Sequence, residues 1–243
     1  MGLLVLACGI GCYLAFLAAL GYLVAFVGDL GVARSVSSGP ALPWGAALAV
    51  DLGLLLGFGL QHSLMARAGG KRFWARRLAP ELERSAYVLC SSLALGLLFL
   101  GWRPLPAPLW TLSAAGPRVL LWTLFWAGWA LVLASSCQLS HASLFGLSQA
   151  WRRFRGLPAQ DLPFRTPVLY RLVRHPLMLG FLVAFWATPR MDVGHLLFAL
   201  GMTGYILIGT HFEERDLRRT LGATYEAYRR RVPMLLPRPW GRR

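Results

Sequence analysis

Four side chains in the C-terminal third of the chain could do chemistry together. Arg174 and His175 stand just before Pro176, where an apolar segment begins, and Glu213 and Glu214 stand where the next apolar segment ends. Two consecutive apolar helices make a hairpin, which returns the chain to the side it left. The four residues are therefore expected at one membrane surface, beside an apolar interior. A cation, an imidazole and two carboxylates so grouped form a binding site for a small zwitterion. Arg174 can fork onto a carboxylate, and His175 can donate or accept. The free N–H groups of the helical turn opened by Pro176 favour an anion. The two carboxylates suit an ammonium or ribose hydroxyls. Each end also has a plainer reading: Arg174 reaching lipid phosphate with His175 as a helix cap, and the glutamates paired with Arg215, Arg218 or the basic tail. The glutamates fall at the expected end of the helix, where its dipole disfavours acids, and that mismatch points to a task for them. Tyr225 and Tyr228, three apart on the tail, would close over an aromatic ring or pack on the membrane surface.

A second group lies in the second apolar segment, which carries Asp51 and Gln61-His62-Ser63. Acids inside a membrane are costly and face the bundle interior. Asp51 and His62 are eleven residues apart, three helical turns, so they share a face. His62 is expected near the end that meets the hairpin ends, where it would orient a substrate, relay a proton or make an interior hydrogen bond. His141 and Gln149 flank Leu144-Phe145-Gly146-Leu147 and are candidates to cap a site. Cys8, Cys12, Cys90 and Cys137 all fall in apolar segments without Cys-x-x-Cys spacing, so neither a disulfide framework nor a metal site is expected.

The elements that must position these residues are apolar. Of 243 residues, 56% are hydrophobic, and the mean hydropathy is +0.53, values outside the range of a soluble domain. Apolar segments run at about 3–27, 44–66, 85–102, 119–138, 176–188 and 192–212, the fifth being short for a full crossing. Of the 25 basic residues, 21 fall in 67–85, 141–175 and 212–243, and only Arg34, Arg103, Arg118 and Arg190 in the alternate connections. That asymmetry predicts about six membrane segments with both termini in the cytoplasm. It assigns the net charge of +15 to topology and lipid headgroups rather than nucleic acid. The expected fold is an all-α, polytopic membrane bundle of one domain, 1–243. It has a short C-terminal hairpin and a cytoplasmic amphipathic tail helix that ends in a Pro-Arg-Pro-Trp run.

Arg174-His175-Pro176 followed by Gly180, Glu213-Glu214, Gly222, Tyr225, Tyr228 and Val232-Pro233 resembles the integral-membrane isoprenylcysteine carboxyl methyltransferase superfamily. A longer match resembles the bacterial methanethiol S-methyltransferases within it. It includes residues 61–67 (Gln-His-Ser-Leu-Met-Ala-Arg), 83–89 (Glu-Arg-Ser-Ala-Tyr-Val-Leu), Trp102-Arg103-Pro104, Phe164-Arg165-Thr166-Pro167 and Glu213-Glu214-Arg215-Asp216-Leu217. The superfamily pattern has Tyr two residues after the proline, where this chain has Met178. The resemblance implies methyl transfer from S-adenosylmethionine to methanethiol, giving dimethyl sulfide, in a bacterial inner membrane. It implies a cofactor site at Arg174, His175, Pro176, Leu179, Gly180, Glu213, Glu214 and Tyr225, within about 141–237. His62 and His175 are then the candidates to take the thiol proton, and no metal is required. Two alternatives stay open: a prenylcysteine carboxyl methyltransferase, and a non-catalytic membrane protein resembling nurim.

Overall fold

The computed structural model describes residues 1–160 and 163–237, so the last residues of the tail, with most of its Pro-Arg-Pro-Trp run, lie outside the described residues. In chain order the elements are α1 (Gly2–Gly28), α2 (Trp44–Ala66), α3 (Ala68–Ala75), α4 (Pro80–Gly101), β1 (Pro108–Thr111), α5 (Ala115–Gln138), α6 (His141–Leu144), α7 (Leu147–Phe154), α8 (Val168–Leu172), α9 (Pro176–Trp186), β2 (Arg190–Asp192), α10 (Val193–Leu221) and α11 (Ala223–Arg231). Among the described residues five helices, α1, α2, α4, α5 and α10, are long and apolar enough to cross a membrane. The expected fifth segment is α9. Its 11 residues span about 16 Å, little more than half of the ~30 Å hydrocarbon layer.

Helices α4 and α10 run well beyond the segments that hydropathy predicts, for readable reasons. Pro80 opens α4 with Glu81 and Glu83 in its first turn, where a missing N–H is harmless and acids meet a favourable dipole. At the other end of the chain, α10 continues to Leu221 with Arg218 and Arg219 in its last turn. Glu213 and Glu214 are therefore inside a helix, not at its C-terminus, and the expected conflict with the dipole does not arise. Gly222, at φ 53°, ends α10 in the left-handed region that glycine alone enters freely.

The chain divides into two compact units. The first holds residues 1–108, 140–163 and 192–198. In it α4 packs against both α1 and α2, and the α2–α4 register is fixed at three levels. His62 meets Tyr87, with Nε2 and Oη 2.5 Å apart. Leu54 covers Gly101, where a Cβ would lie 2.9 Å from its Cδ1. The fully buried Asp51 accepts the Arg103 N–H at 2.9 Å. Asp51 and His62 share a face but are separated by about 16 Å along it. Asp51 closes the end of α4 instead of acting with His62. Phe26, Phe99, Trp102 and Phe198 form a buried aromatic core, and Asp192 Oδ1 caps the start of α10 through the His195 N–H at 2.8 Å.

The second unit holds residues 109–139, 164–191 and the chain from Ala199 onward. Its α5 and α9 touch backbone to backbone: a Cβ on Gly128 or on Gly180 would lie 2.7 Å from the other's carbonyl oxygen. Trp129 packs edge-on against Phe181 and Phe185. These contacts hold α9 in place although it is too short to be anchored across a bilayer.

Candidate functional site

Within the second unit, the residue pair before α9 is held by the chain's tail. The Arg174 N–H donates to the Pro233 carbonyl at 2.8 Å and the His175 N–H to that of Met234 at 3.1 Å. The two segments thus pair like short strands. The Arg174 guanidinium is buried and makes contacts on all sides. Its Nε and Nη2 each lie 2.6 Å from Glu214 Oε1, and its Nη1 donates to the Val232 carbonyl at 2.5 Å and the Arg229 carbonyl at 3.2 Å. His175 Nε2 reaches the same Glu214 oxygen at 3.2 Å. Arg229 lies 3.7 Å from Glu214 Oε2.

The hairpin does bring the four expected residues together, but not in equivalent roles. Glu214 is buried and committed to Arg174 and His175. Glu213 is half exposed, its side chain 52% accessible, with Oε2 3.8 Å from His175 Nδ1. The plainer reading, of ion pairing, thus describes Glu214: its closest partner is Arg174, and Arg229 of the basic tail lies 3.7 Å away. Glu213 keeps a carboxylate presented outward. Because a carboxylate only accepts, the His175–Glu214 contact places the His175 proton on Nε2 and turns Nδ1 toward Glu213.

Three tyrosines and one phenylalanine surround this cluster. Phe164 packs edge-on against Tyr225 and Tyr228, with ring centroids 6.1 and 5.6 Å away. The Tyr228 hydroxyl donates to the Tyr170 carbonyl at 2.5 Å. Burial pushes the Tyr228 hydroxyl up to about 12; the Arg174 cation partly offsets this and the Glu214 charge adds to it. Burial, with the neighbouring carboxylates, also raises Tyr225 and Tyr170 above the ordinary phenol range. All three are therefore neutral donors at physiological pH. Tyr225 is 1% exposed, and its hydroxyl has no hydrogen-bond partner among the described residues. A buried polar atom left so costs about 1–3 kcal/mol, which a ligand acceptor would recover.

The other expected residues fall as follows. Pro176 occupies the first turn of α9, and among the described residues no side chain caps that helix, so its leading N–H groups have no side-chain partner. Leu179 closes the first turn through its N–H to the His175 carbonyl at 3.0 Å. Gly180 is accounted for by its contact with Gly128. His62 belongs to the first unit, with Nε2 at Tyr87 and Nδ1 3.0 Å from Ser91 Oγ. His141, also in that unit, is 2.9 Å from the Tyr13 hydroxyl and lowered in pKa by burial. Gln149 donates to the Ser143 carbonyl at 3.1 Å. Sequence reasoning missed the docking of residues 233–234 on 174–175 and the part played by Tyr170 and Phe164. The proline after Val232 and the Phe164-Arg165-Thr166-Pro167 block were the available signals.

An exposed carboxylate, an uncapped helix N-terminus, an imidazole and an orphaned phenol donor fit a small zwitterion with further polar groups. The family model described as NnrU protein matches residues 52–235. Methanethiol S-methyltransferase of Mycobacterium tuberculosis is 54% identical, over 95% of both chains. Methanethiol S-methyltransferase 2 of Bradyrhizobium diazoefficiens is 51% identical, over 95% of this chain and 89% of its own. Nurim of Homo sapiens is 35% identical over 71% of this chain and 69% of its own. No solved structure matches. Matched across most of its length by that model and nearly end to end by those enzymes, the chain belongs to the NnrU family of membrane proteins, on its methanethiol S-methyltransferase branch.

Proposed function

We propose that this protein methylates methanethiol to dimethyl sulfide with S-adenosylmethionine as the methyl donor. The observation that carries the reading is identity above 50% to two methanethiol S-methyltransferases over 95% of the chain. The cluster around His175 supports it. S-adenosylmethionine supplies a methyl group on a sulfonium and brings a carboxylate, an ammonium and ribose hydroxyls to be held. Glu213 receives the ammonium. The free N–H groups of the first turn of α9, between Pro176 and Leu179, receive the carboxylate. Tyr225 donates its hydroxyl to the ligand. Arg174 and Glu214 act by locking His175 and the tail in place, and Gly180 acts by letting α9 lie against α5. Methyl transfer needs the thiolate, since that is the nucleophile, and alkanethiols ionise near or above the ~8.5 of free Cys. His175 and His62 are the imidazoles proposed to take that proton.

The small, apolar thiol enters through the lipid, which suits a membrane enzyme. We infer a bacterial inner-membrane location with both termini cytoplasmic, from the distribution of basic residues. No nucleic-acid partner is proposed. Reporter fusions after residues 75, 160 and 237 should all read cytoplasmic; a periplasmic C-terminus would sink the placement.

A second reading rests on the Nurim match and on the internally satisfied Arg174–Glu214 pair. By it the chain is a membrane protein without catalysis. One experiment separates the two. Purified protein is sealed with methanethiol and S-adenosylmethionine, and headspace dimethyl sulfide is measured by gas chromatography. Formation in proportion to protein supports the enzyme. No product from folded protein refutes it.

A further inference from the structure

The first unit contains a hydrogen-bonded chain in which His62 is joined by Tyr87 and Ser91, two residues so far without a task. It runs Tyr87 Oη, His62 Nε2, His62 Nδ1, Ser91 Oγ, with successive contacts of 2.5 Å and 3.0 Å across the ring. The Ser91 hydroxyl also donates to the Tyr87 carbonyl at 2.8 Å. A serine hydroxyl has one proton, and here the carbonyl takes it. Ser91 Oγ therefore accepts from His62, which puts the imidazole proton on Nδ1. In the neutral ring Nε2 is then an acceptor, and the Tyr87 O–H donates to it. The histidine's basic nitrogen is covered by a phenol.

Tyr87 is also one wall of a small cavity of about 20 Å³, which it lines with Met65, Lys71, Trp74, Glu83 and Arg84. Cavities of this size admit about one water-sized group, which suits the sulfhydryl end of a small thiol. His62 does not line the cavity and is linked to it through the Tyr87 hydroxyl. The Arg84 guanidinium carbon sits 5.2 Å over the Tyr87 ring, and its Nε is anchored on the Leu144 carbonyl at 2.5 Å. A fixed cation at the cavity wall favours an anion formed there.

We propose that this cavity is a thiol-capturing subsite in which Tyr87 is the residue that takes the substrate's proton, with His62 as the acceptor behind it and Ser91 as the positioning residue that fixes the tautomer. The inference rests on the proposed function. In the step, the thiol S–H bond breaks and its proton goes to Tyr87 Oη. The Tyr87 proton passes at once to His62 Nε2, and the S–H electron pair stays on sulfur as thiolate beside Arg84. The imidazolium later returns its proton to water. His62, which the sequence offers as the base itself, acts through the tyrosine.

Tyr87→Phe keeps the ring and removes the relay. Its kcat/KM for methanethiol at pH 7 should fall by about 10²-fold, within the range of a positioned proton-transfer group. The deficit should shrink roughly tenfold per pH unit as solution thiolate rises toward the thiol's own pKa, with the Kd for S-adenosylmethionine unchanged. Ser91→Ala should show a smaller loss with the same pH form. A Tyr87→Phe enzyme with the wild-type pH profile, or with a loss that is constant across pH, overturns the relay and leaves Tyr87 a packing residue. Wild-type protein that makes no dimethyl sulfide at any pH overturns the proposed function and the relay together. An active wild type with an indifferent Tyr87→Phe overturns the relay alone.

Discussion

Glu213 and Glu214 are neighbours in sequence, yet their substitutions should have opposite consequences. Glu214 Oε1 accepts from Arg174 Nε and Nη2 at 2.6 Å and from His175 Nε2 at 3.2 Å, and both side chains of the ion pair are about nine-tenths buried. Glu214→Gln keeps the shape and leaves the Arg174 cation buried without its anion. Breaking a buried pair from one side costs about 3–5 kcal/mol. For a chain of this size that is about 6–20 °C in thermal midpoint. Glu213 is half exposed, and its neighbour, the His175 imidazole, is 3.8 Å away. Glu213→Gln should cost about 0–1 kcal/mol of stability, as exposed pairs do. If Glu213 holds the ammonium of S-adenosylmethionine, the same change removes a charge-assisted hydrogen bond of about 1.5–3 kcal/mol, or roughly 10–150-fold in Kd. Tryptophan fluorescence melting in detergent reads the first quantity, using the ten tryptophans, and titration calorimetry reads the second. The reasoning is refuted if Glu213→Gln melts as low as Glu214→Gln, or if it binds the cofactor with wild-type affinity.

Tyr225→Phe removes a hydroxyl that has no partner among the described residues. Its melting temperature should hold or rise, while cofactor affinity drops about 2–12-fold for one neutral hydrogen bond; calorimetry showing no drop would free Tyr225 from the site. Tyr228 titrates at about 12 in the folded protein against 10 for the free phenol, so the folded state holds its proton longer than the unfolded one. Its contribution to stability is therefore complete below pH 10 and is lost as pH rises through 12. A melting series from pH 9 to 12 should fall less steeply in Tyr228→Phe than in wild type. Gly180→Ala places a Cβ 2.7 Å from the Gly128 carbonyl oxygen; overpacking of this kind costs about 1–3 kcal/mol, visible as a lower melting temperature whether or not cofactor is present.

Hydropathy alone placed the long helices, because a membrane span needs about 20 apolar residues and little else in a chain satisfies that. The second segment was found at its observed bounds, 44–66. Helix ends outside the apolar layer were less legible, since there capping and charge decide. The first turn of α4 and the last nine residues of α10 were read as connection and tail. The proximity of Arg174, His175, Glu213 and Glu214 was also legible, because they flank a hairpin whose topology forces its two ends together. The sequence could not divide labour among them. Which carboxylate turns inward onto Arg174 and which outward follows from the phase of α10, and that phase is set by how the helix packs. Pairing between residues 174–175 and 233–234 spans 59 positions and leaves no local pattern. The same holds for the tautomer of His62: its residue type is in the sequence, but the proton's position follows from Ser91 and Tyr87 on another helix. Periodicity and composition are properties of neighbouring residues, whereas orientation, burial and protonation depend on partners that only the folded chain supplies.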